Sequence, residues 1–231
     1  MAFSLVLALA ALRLSIIYLD HPLARLMAGA LDPDKARGLV GRDGLTMAEA
    51  MTAQGFDPTT LGPDPERLSR IGEFVELHIE QGPVLDHEEI PVGIFTALPG
   101  NRRVRAGRIT GEYNHSGATP RAYRHDAAMA LAEFAHKLDL YWGVLDAQGR
   151  PMVMTFCTIN TTDQAGFGKV PGEIEFSLDV RSPHVETLDL FFAEIDRLAA
   201  EIGAARGVAI DVVGRGESAA TPMDEAIQDG V

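Results

Sequence analysis

Histidine, arginine and carboxylate side chains carry the chemistry available to this chain. Its single cysteine, Cys157, can neither close an intrachain disulfide nor build a CxxC metal site. A reducing, cytoplasmic setting fits that usage, and any metal must be held by His and carboxylate. His78 is the first candidate. It stands on the polar side of the alternating run FVELHIE (Phe74 to Glu80), flanked by Glu76 and Glu80, where Gly82-Pro83 ends the run. Such a histidine can be a metal ligand or a hydrogen-bonded surface residue, because zinc sites need three or four converging donors. The second candidate is the polar loop Asn114-His115-Ser116-Gly117-Ala118-Thr119-Pro120-Arg121, followed by Arg124-His125-Asp126. Loops on rigid scaffolds often hold sites. The structural alternative gives His115 and Thr119 turn and capping roles and puts Asp126 in the first turn of the following helix. The third group is cationic, Arg102-Arg103 after a Gly-Asn turn and Arg181 at a strand end. Guanidinium forks suit carboxylate or ureido groups, so arginines converging on a pocket would imply an anionic substrate. Alternatively, each pairs with one of the 33 acidic side chains.

The elements that must position these residues can be read from hydrophobic period. Val75, Leu77 and Ile79 alternate with the polar face of FVELHIE, which predicts a strand, and Ile90 to Leu98 is a second apolar, β-prone run closed by Pro99-Gly100. Upstream, Asp32 to Arg67 reads as loop, short helix, loop. Downstream the pattern is more regular. A strand is expected near Val104 to Tyr113, a helix near His125 to Tyr141, and a strand over Met152 to Asn160. Another strand follows on Ile174, Phe176, Leu178 and Val180, then a helix on Leu188, Phe191, Ile195, Leu198 and Ile202, then a strand over Val208 to Val213. The order β-α-β-β-α-β is that of a ferredoxin-like sandwich, with two helices on one face of a four-stranded antiparallel sheet. It occupies about 110 residues, a normal domain size.

Composition sets the outer bounds. The chain has 231 residues, 46% hydrophobic and 23% charged, which is a globular balance for an α/β protein of one or two domains. Its net charge of −13 disfavours nucleic acid and anionic membranes as partners. The apolar start, Met1 to Ile17, falls short of the ~20 residues a membrane span needs and is expected to be a buried helix. The sequence has no GxGxxG after a strand, no GxxxxGK[ST], no GxSxG and no HExxH, which removes the usual support for nucleotide-dependent and serine-hydrolase readings.

Four ordered blocks carry a family resemblance: ELHIEQGPVLD (Glu76 to Asp86), PGNRRVR (Pro99 to Arg105), GEYNHSGATPRAYRHDA (Gly111 to Ala127) and KVPGEIEFSLDVRS (Lys169 to Ser182). Together they resemble the amidase branch of the di-zinc exopeptidase clan, which holds N-carbamoyl-L-amino-acid hydrolases, allantoate amidohydrolases and β-ureidopropionases. The likeness runs from about residue 20 to 225. It implies an α/β catalytic domain with two Zn²⁺ or Mn²⁺ ions, interrupted by a ferredoxin-like lid and dimerisation domain. On this basis residues 1–101 belong to the catalytic domain, 102–214 to the lid and 215–231 to the return. It also implies that His78 is a metal ligand and that His115 reaches the substrate of the partner subunit and steadies charge at the attacked carbonyl. Arg102 and Arg181 would hold the substrate carboxylate. The reaction would be metal-assisted hydrolysis of a ureido or carbamoyl acid, with a Glu as base.

Two departures qualify that expectation. The family's other metal-binding elements precede and follow the matched region, so one protein ligand of the usual five is expected here, and the chain reads as an internal portion, inactive on its own. The family's substrate-binding Asn aligns with Gly168, where Lys169 can partly substitute. The competing reading is a non-catalytic dimerisation or lid module, or a truncated gene product.

Overall fold

The computed structural model describes residues 25–26, 28–41, 43–72 and 78–230, with the side chain of Arg67 left aside. The apolar segment 1–17 and residues 73–77, which hold most of the FVELHIE run, lie outside them. The chain divides into two units, Met1–Gln81 and Gly82–Val231.

In the first unit the Pro- and Asp-rich stretches expected to be loops contain short helices of their own. Asp32 accepts a hydrogen bond from the Lys35 amide at 2.9 Å, and Pro33 occupies a first-turn position whose N–H has no partner to lose, so α1 forms over Pro33–Arg37. In α2 (Met47–Ala53) the Thr46 hydroxyl caps the Glu49 amide while the Glu49 carboxylate accepts from the Thr46 amide. A 3-10 turn at Pro58–Thr60 and α3 (Pro65–Leu68) follow. Leu26, Ala36, Met47 and Met51 form a small core.

The second unit opens with α4 (Val84–His87). Only the end of the apolar run Ile90 to Leu98 becomes a strand, β1 (Ala97–Leu98). Pro91 lacks the N–H that a ladder needs and Gly93 weakens extended structure, so Ile90, Val92, Ile94 and Phe95 lie exposed. The remaining elements are β2 (Gly100–Thr110), β3 (Asn114–His115), α5 (Ala127–Ala147), β4 (Val153–Thr161), β5 (Lys169–Val170) and β6 (Glu173–Ser182). After them come α6 (Val185–Arg206), β7 (Ala209–Ser218), β8 (Thr221–Pro222) and α7 (Glu225–Gly230). The long strands form one antiparallel sheet in the order β4-β6-β2-β7, while β1 pairs with β8 and β3 with β5.

Alternation in β6 turns Ile174, Phe176, Leu178 and Val180 to one face, where they pack with Phe134, Leu138, Phe191, Ile195 and Ile202 of α5 and α6. In β2 the inward residues are Val104, Gly107 and Ile109, a spacing that breaks the period of two. A bulge explains it: Val104 faces Leu178 and Gly107 faces Phe176, so Arg105 and Ala106 together oppose Ser177. A Cβ on Gly107 would come within 2.5 Å of the Phe176 ring, so glycine is what lets that ring lie on the strand.

Outside the core, an ionic ladder joins the helices. Glu133 pairs with Lys137 at 2.9 Å and with Arg206 at 2.6 Å, Lys137 reaches Glu201 at 2.8 Å, and Glu201 also meets Arg197. Hydrogen bonds from Lys137 and Arg206 hold Glu133 below the usual carboxylate range, and those from Lys137 and Arg197 do the same for Glu201. Among the described residues no helix is long and apolar enough to cross a membrane.

Two outcomes follow for urea unfolding. Gly107→Ala should cost about 1–3 kcal/mol by overpacking, and Phe176→Leu should recover part of the loss in a double-mutant cycle. A depressed carboxylate contributes its full stability above its ordinary value, here 4.5, and loses it as pH falls through the lower folded value. The unfolding midpoint should therefore drop as pH is lowered below about 4.5, less steeply in Glu133→Gln.

Candidate functional site

His115 is fixed by its own turn. Its Nδ1 accepts the amides of Gly117 and Ala118, each at 3.1 Å, and its carbonyl oxygen accepts those of Ala118 and Thr119. An Nδ1 that accepts leaves the proton of the neutral ring on Nε2, so the exposed ring edge is a donor. From the other side, β3 pairs His115 with Lys169, and the Ser116 amide donates to the Gly168 carbonyl at 2.8 Å. Tyr113 Oη meets Thr162 Oγ1 at 2.5 Å, which ties the 162–168 loop to the residue just before β3. Lys169 does not reach toward this turn; its ammonium donates to the Gln164 carbonyl at 2.8 Å. The turn role expected for His115 is present. Thr119 caps nothing, because Pro120 and a 3-10 turn at Arg121–Tyr123 intervene, and Asp126 is the cap of α5 through the amides of Ala128 and Met129.

Arg102 and Arg181 do not converge. Arg102 lies opposite Val180 on the helix-covered face, pairs with Asp189 at 2.6 Å and Glu217 at 3.1 Å, and stands 5.8 Å from the Phe192 ring centre. Arg181 lies on the open face. There Asp179 Oδ2 accepts from its Nε at 3.2 Å and Nη2 at 2.8 Å, and the same oxygen lies 3.5 Å from Arg103 Nε. These bonds raise the Arg181 pKa above its ordinary value, and Asp179 Oδ1 is buried with no hydrogen-bond partner among the described residues. The neighbour that shares the open face with Arg181 is thus Arg103, which sequence reasoning named only as half of an Arg-Arg pair.

Register sets the distance between these groups. Arg181 lies opposite Asn101 and Glu173 opposite Thr110, so the arginines and the His115 turn occupy opposite ends of the central strands. At ~3.4 Å per residue that is roughly 27 Å, too far for one small molecule to touch both within a chain.

His78 is exposed, and its Nδ1 donates to the Ile79 carbonyl oxygen at 2.5 Å. That leaves the Nε2 lone pair outward, the form a metal-binding histidine takes. Among the described residues no three His, Cys, Asp or Glu side chains converge to hold a metal, so these residues alone do not compose a two-metal centre.

The described sheet thus carries a fixed histidine donor at one end and arginines paired with carboxylates at the other, and comparison with known proteins supplies the class. No family model matches the chain. It is 34% identical over 190 residues to an N-carbamoyl-L-amino-acid amidohydrolase of Paenarthrobacter aurescens, covering 81% of this chain and 44% of that protein. To the allantoate amidohydrolase of Escherichia coli K12 it is 31% identical over 186 residues, covering 80% and 43%. Among solved structures, hydantoinase/carbamoylase family amidases of Burkholderia phymatum and Burkholderia ambifaria, both 28% identical, superpose with TM-scores of 0.69 and 0.67 and cover 85% and 89% of the chain. The chain belongs to the hydantoinase/carbamoylase family of amidases. It spans under half the length of the curated relatives it matches.

Tyr113→Phe should loosen the clamp on β3 by about 1 kcal/mol, the worth of one hydrogen bond, and speed hydrogen exchange at the Ser116 and Lys169 amides about fivefold. An unchanged exchange rate would show that the Thr162 contact does not hold the loop.

Proposed function

We propose that this chain supplies the substrate-clasping part of a cytoplasmic, metal-dependent amidohydrolase that cleaves non-peptide C–N bonds of N-carbamoyl amino acids, allantoate or similar ureido acids. In this reading the β-α-β-β-α-β unit is the family's ferredoxin-like lid and dimerisation domain. Its elements run from Gly100 to Ser218, slightly wider than the 102–214 read from sequence, with residues 1–101 and 215–231 contributing to the catalytic domain. The observation that carries the proposal is the His115 turn, whose two amide bonds to Nδ1 leave Nε2–H as an outward donor. A donor already oriented costs nothing to reorganise when negative charge grows on a carbamoyl oxygen, and it stabilises that charge more than the ground-state carbonyl.

Arg181, joined by Arg103, holds the substrate carboxylate, and Asp179 keeps both guanidinium groups on the open face until the anion arrives. The separation between these arginines and His115 supports a site shared by two copies of the chain, each giving its histidine to the other's substrate. Among the described residues β4 and β7 are the edge strands of the sheet, the ones to which a second copy could add. Zn²⁺ or Mn²⁺ is the cofactor class that the family relationship brings. His78 Nε2 has the form of one ligand, and no step is assigned through a metal on the residues described.

Sedimentation and calorimetric titration test the reading together. The chain should sediment as a dimer and bind N-carbamoyl-L-amino acids, and His115→Ala and Arg181→Ala should each weaken binding about tenfold. A monomer that binds no ureido acid at millimolar concentration would refute it.

A further inference from the structure

We propose that Arg124 is the positioning residue that keeps His115 in its Nε2–H form with that N–H facing outward. The inference rests on reading His115 as a donor to substrate. The peptide group between Ser116 and Gly117 is the pivot. Its N–H bonds to His115 Nδ1 at 3.1 Å, and its carbonyl oxygen accepts from Arg124 Nη2 at 2.5 Å. Because a trans peptide is planar, with C=O and N–H pointing in opposite directions, a group that holds the oxygen also aims the hydrogen. The second prong of the same guanidinium, Nε, donates to the Thr119 carbonyl at 2.8 Å and fixes the far end of the turn. Arginine's rigid fork can grip both carbonyls at once, which a single ammonium cannot.

Without that grip the Ser116–Gly117 peptide could rotate by half a turn. Turn types differ by just such a rotation of a central peptide, and a glycine following it lowers the steric cost. Rotation would replace one of the two N–H groups at Nδ1, that of Gly117, by a carbonyl oxygen and leave the Ala118 amide as the remaining donor. With a carbonyl oxygen and an N–H competing for Nδ1, the balance would move toward the Nδ1–H ring, whose outward Nε2 is a bare lone pair unable to donate to a developing oxyanion. Charge-assisted bonding to the Ser116 oxygen also polarises the peptide and strengthens its N–H as a donor. Arg124 is itself anchored. It follows the 3-10 turn Arg121–Tyr123, its neighbour His125 accepts the Glu112 amide at 2.9 Å, and Asp126 caps α5.

The test reads the ring nitrogens directly. In ¹⁵N-labelled chain at about pH 8.5, where histidine is ordinarily neutral, long-range proton–nitrogen correlation should show His115 protonated on Nε2 and bare on Nδ1. Arg124→Ala should shift the tautomer ratio about tenfold or more toward Nδ1–H, as loss of a charge-assisted hydrogen bond implies, and speed exchange of the Gly117 amide to a similar extent. Arg124→Lys, which keeps the charge and can reach one carbonyl, should fall between, and it decides the matter if the alanine variant does not fold. Folded variants whose His115 ring signals match the wild type would overturn the proposal. Calorimetry with N-carbamoyl-L-amino acids separates the two readings: a wild-type chain that binds none, while Arg124→Ala still shifts the tautomer, refutes the donor role of His115 and leaves the assignment of Arg124 standing.

Discussion

The pairing of β2 with β6 is the constraint on which the rest of this structure depends. These two central strands carry the inward residues that bury α5 and α6, and their outward residues line the open face. Because side chains alternate, the register that seats Phe176 over Gly107 also decides that Asp179 and Arg181 face away from the helices. Core and site are therefore two sides of one hydrogen-bonded ladder. A slip of one residue would bury charges and expose phenylalanine at once, so the packing energy of the core protects the arrangement of the arginines.

At the other end of the ladder, β2 runs into the 111–119 segment and β6 begins after β5, so the His115 turn is built where both central strands meet connecting chain. Loops are ordinarily the mobile part of a fold. This one is closed by pairing with β5, by the Tyr113–Thr162 contact and by Arg124, and the chain beyond it leads directly to Asp126, the cap of α5. The histidine thus inherits its orientation from the sheet and the helix start rather than from flexible chain.

Much of this was legible in the sequence. Strict alternation in Ile174, Phe176, Leu178 and Val180 and helical spacing in Leu188, Phe191, Ile195 and Ile202 place four strands and two helices within a few residues, because burial of one face imposes those periods. The face of each arginine was not legible. Counting back by twos from Ile109 puts Arg103 inside and Arg102 outside, and the bulge at Arg105 and Ala106 reverses that order. A bulge leaves little trace in composition beyond a glycine, and here Gly107 was that trace. The Ile90 to Leu98 run misled for a different reason, since apolar content signals a strand only where a partner edge exists. Asp32-Pro33 and Thr46-x-x-Glu49 carry helix-start signals for α1 and α2, the first within a stretch whose Pro, Gly and Asp content otherwise reads as loop.

The bulge in β2 behaves like a reading frame. Straightening the strand there with both bulged residues kept would leave every side-chain type in place yet exchange the two arginines, setting Arg103 opposite Val180 on the helix-covered face and Arg102 on the open one. Among relatives, a strand of the same length without the bulge would present a different open face, whereas one shorter by a single residue there would keep this one. Aligned identity at the Arg-Arg pair therefore says which face each arginine takes only when the spacing to Ile109 and the bulge are read together.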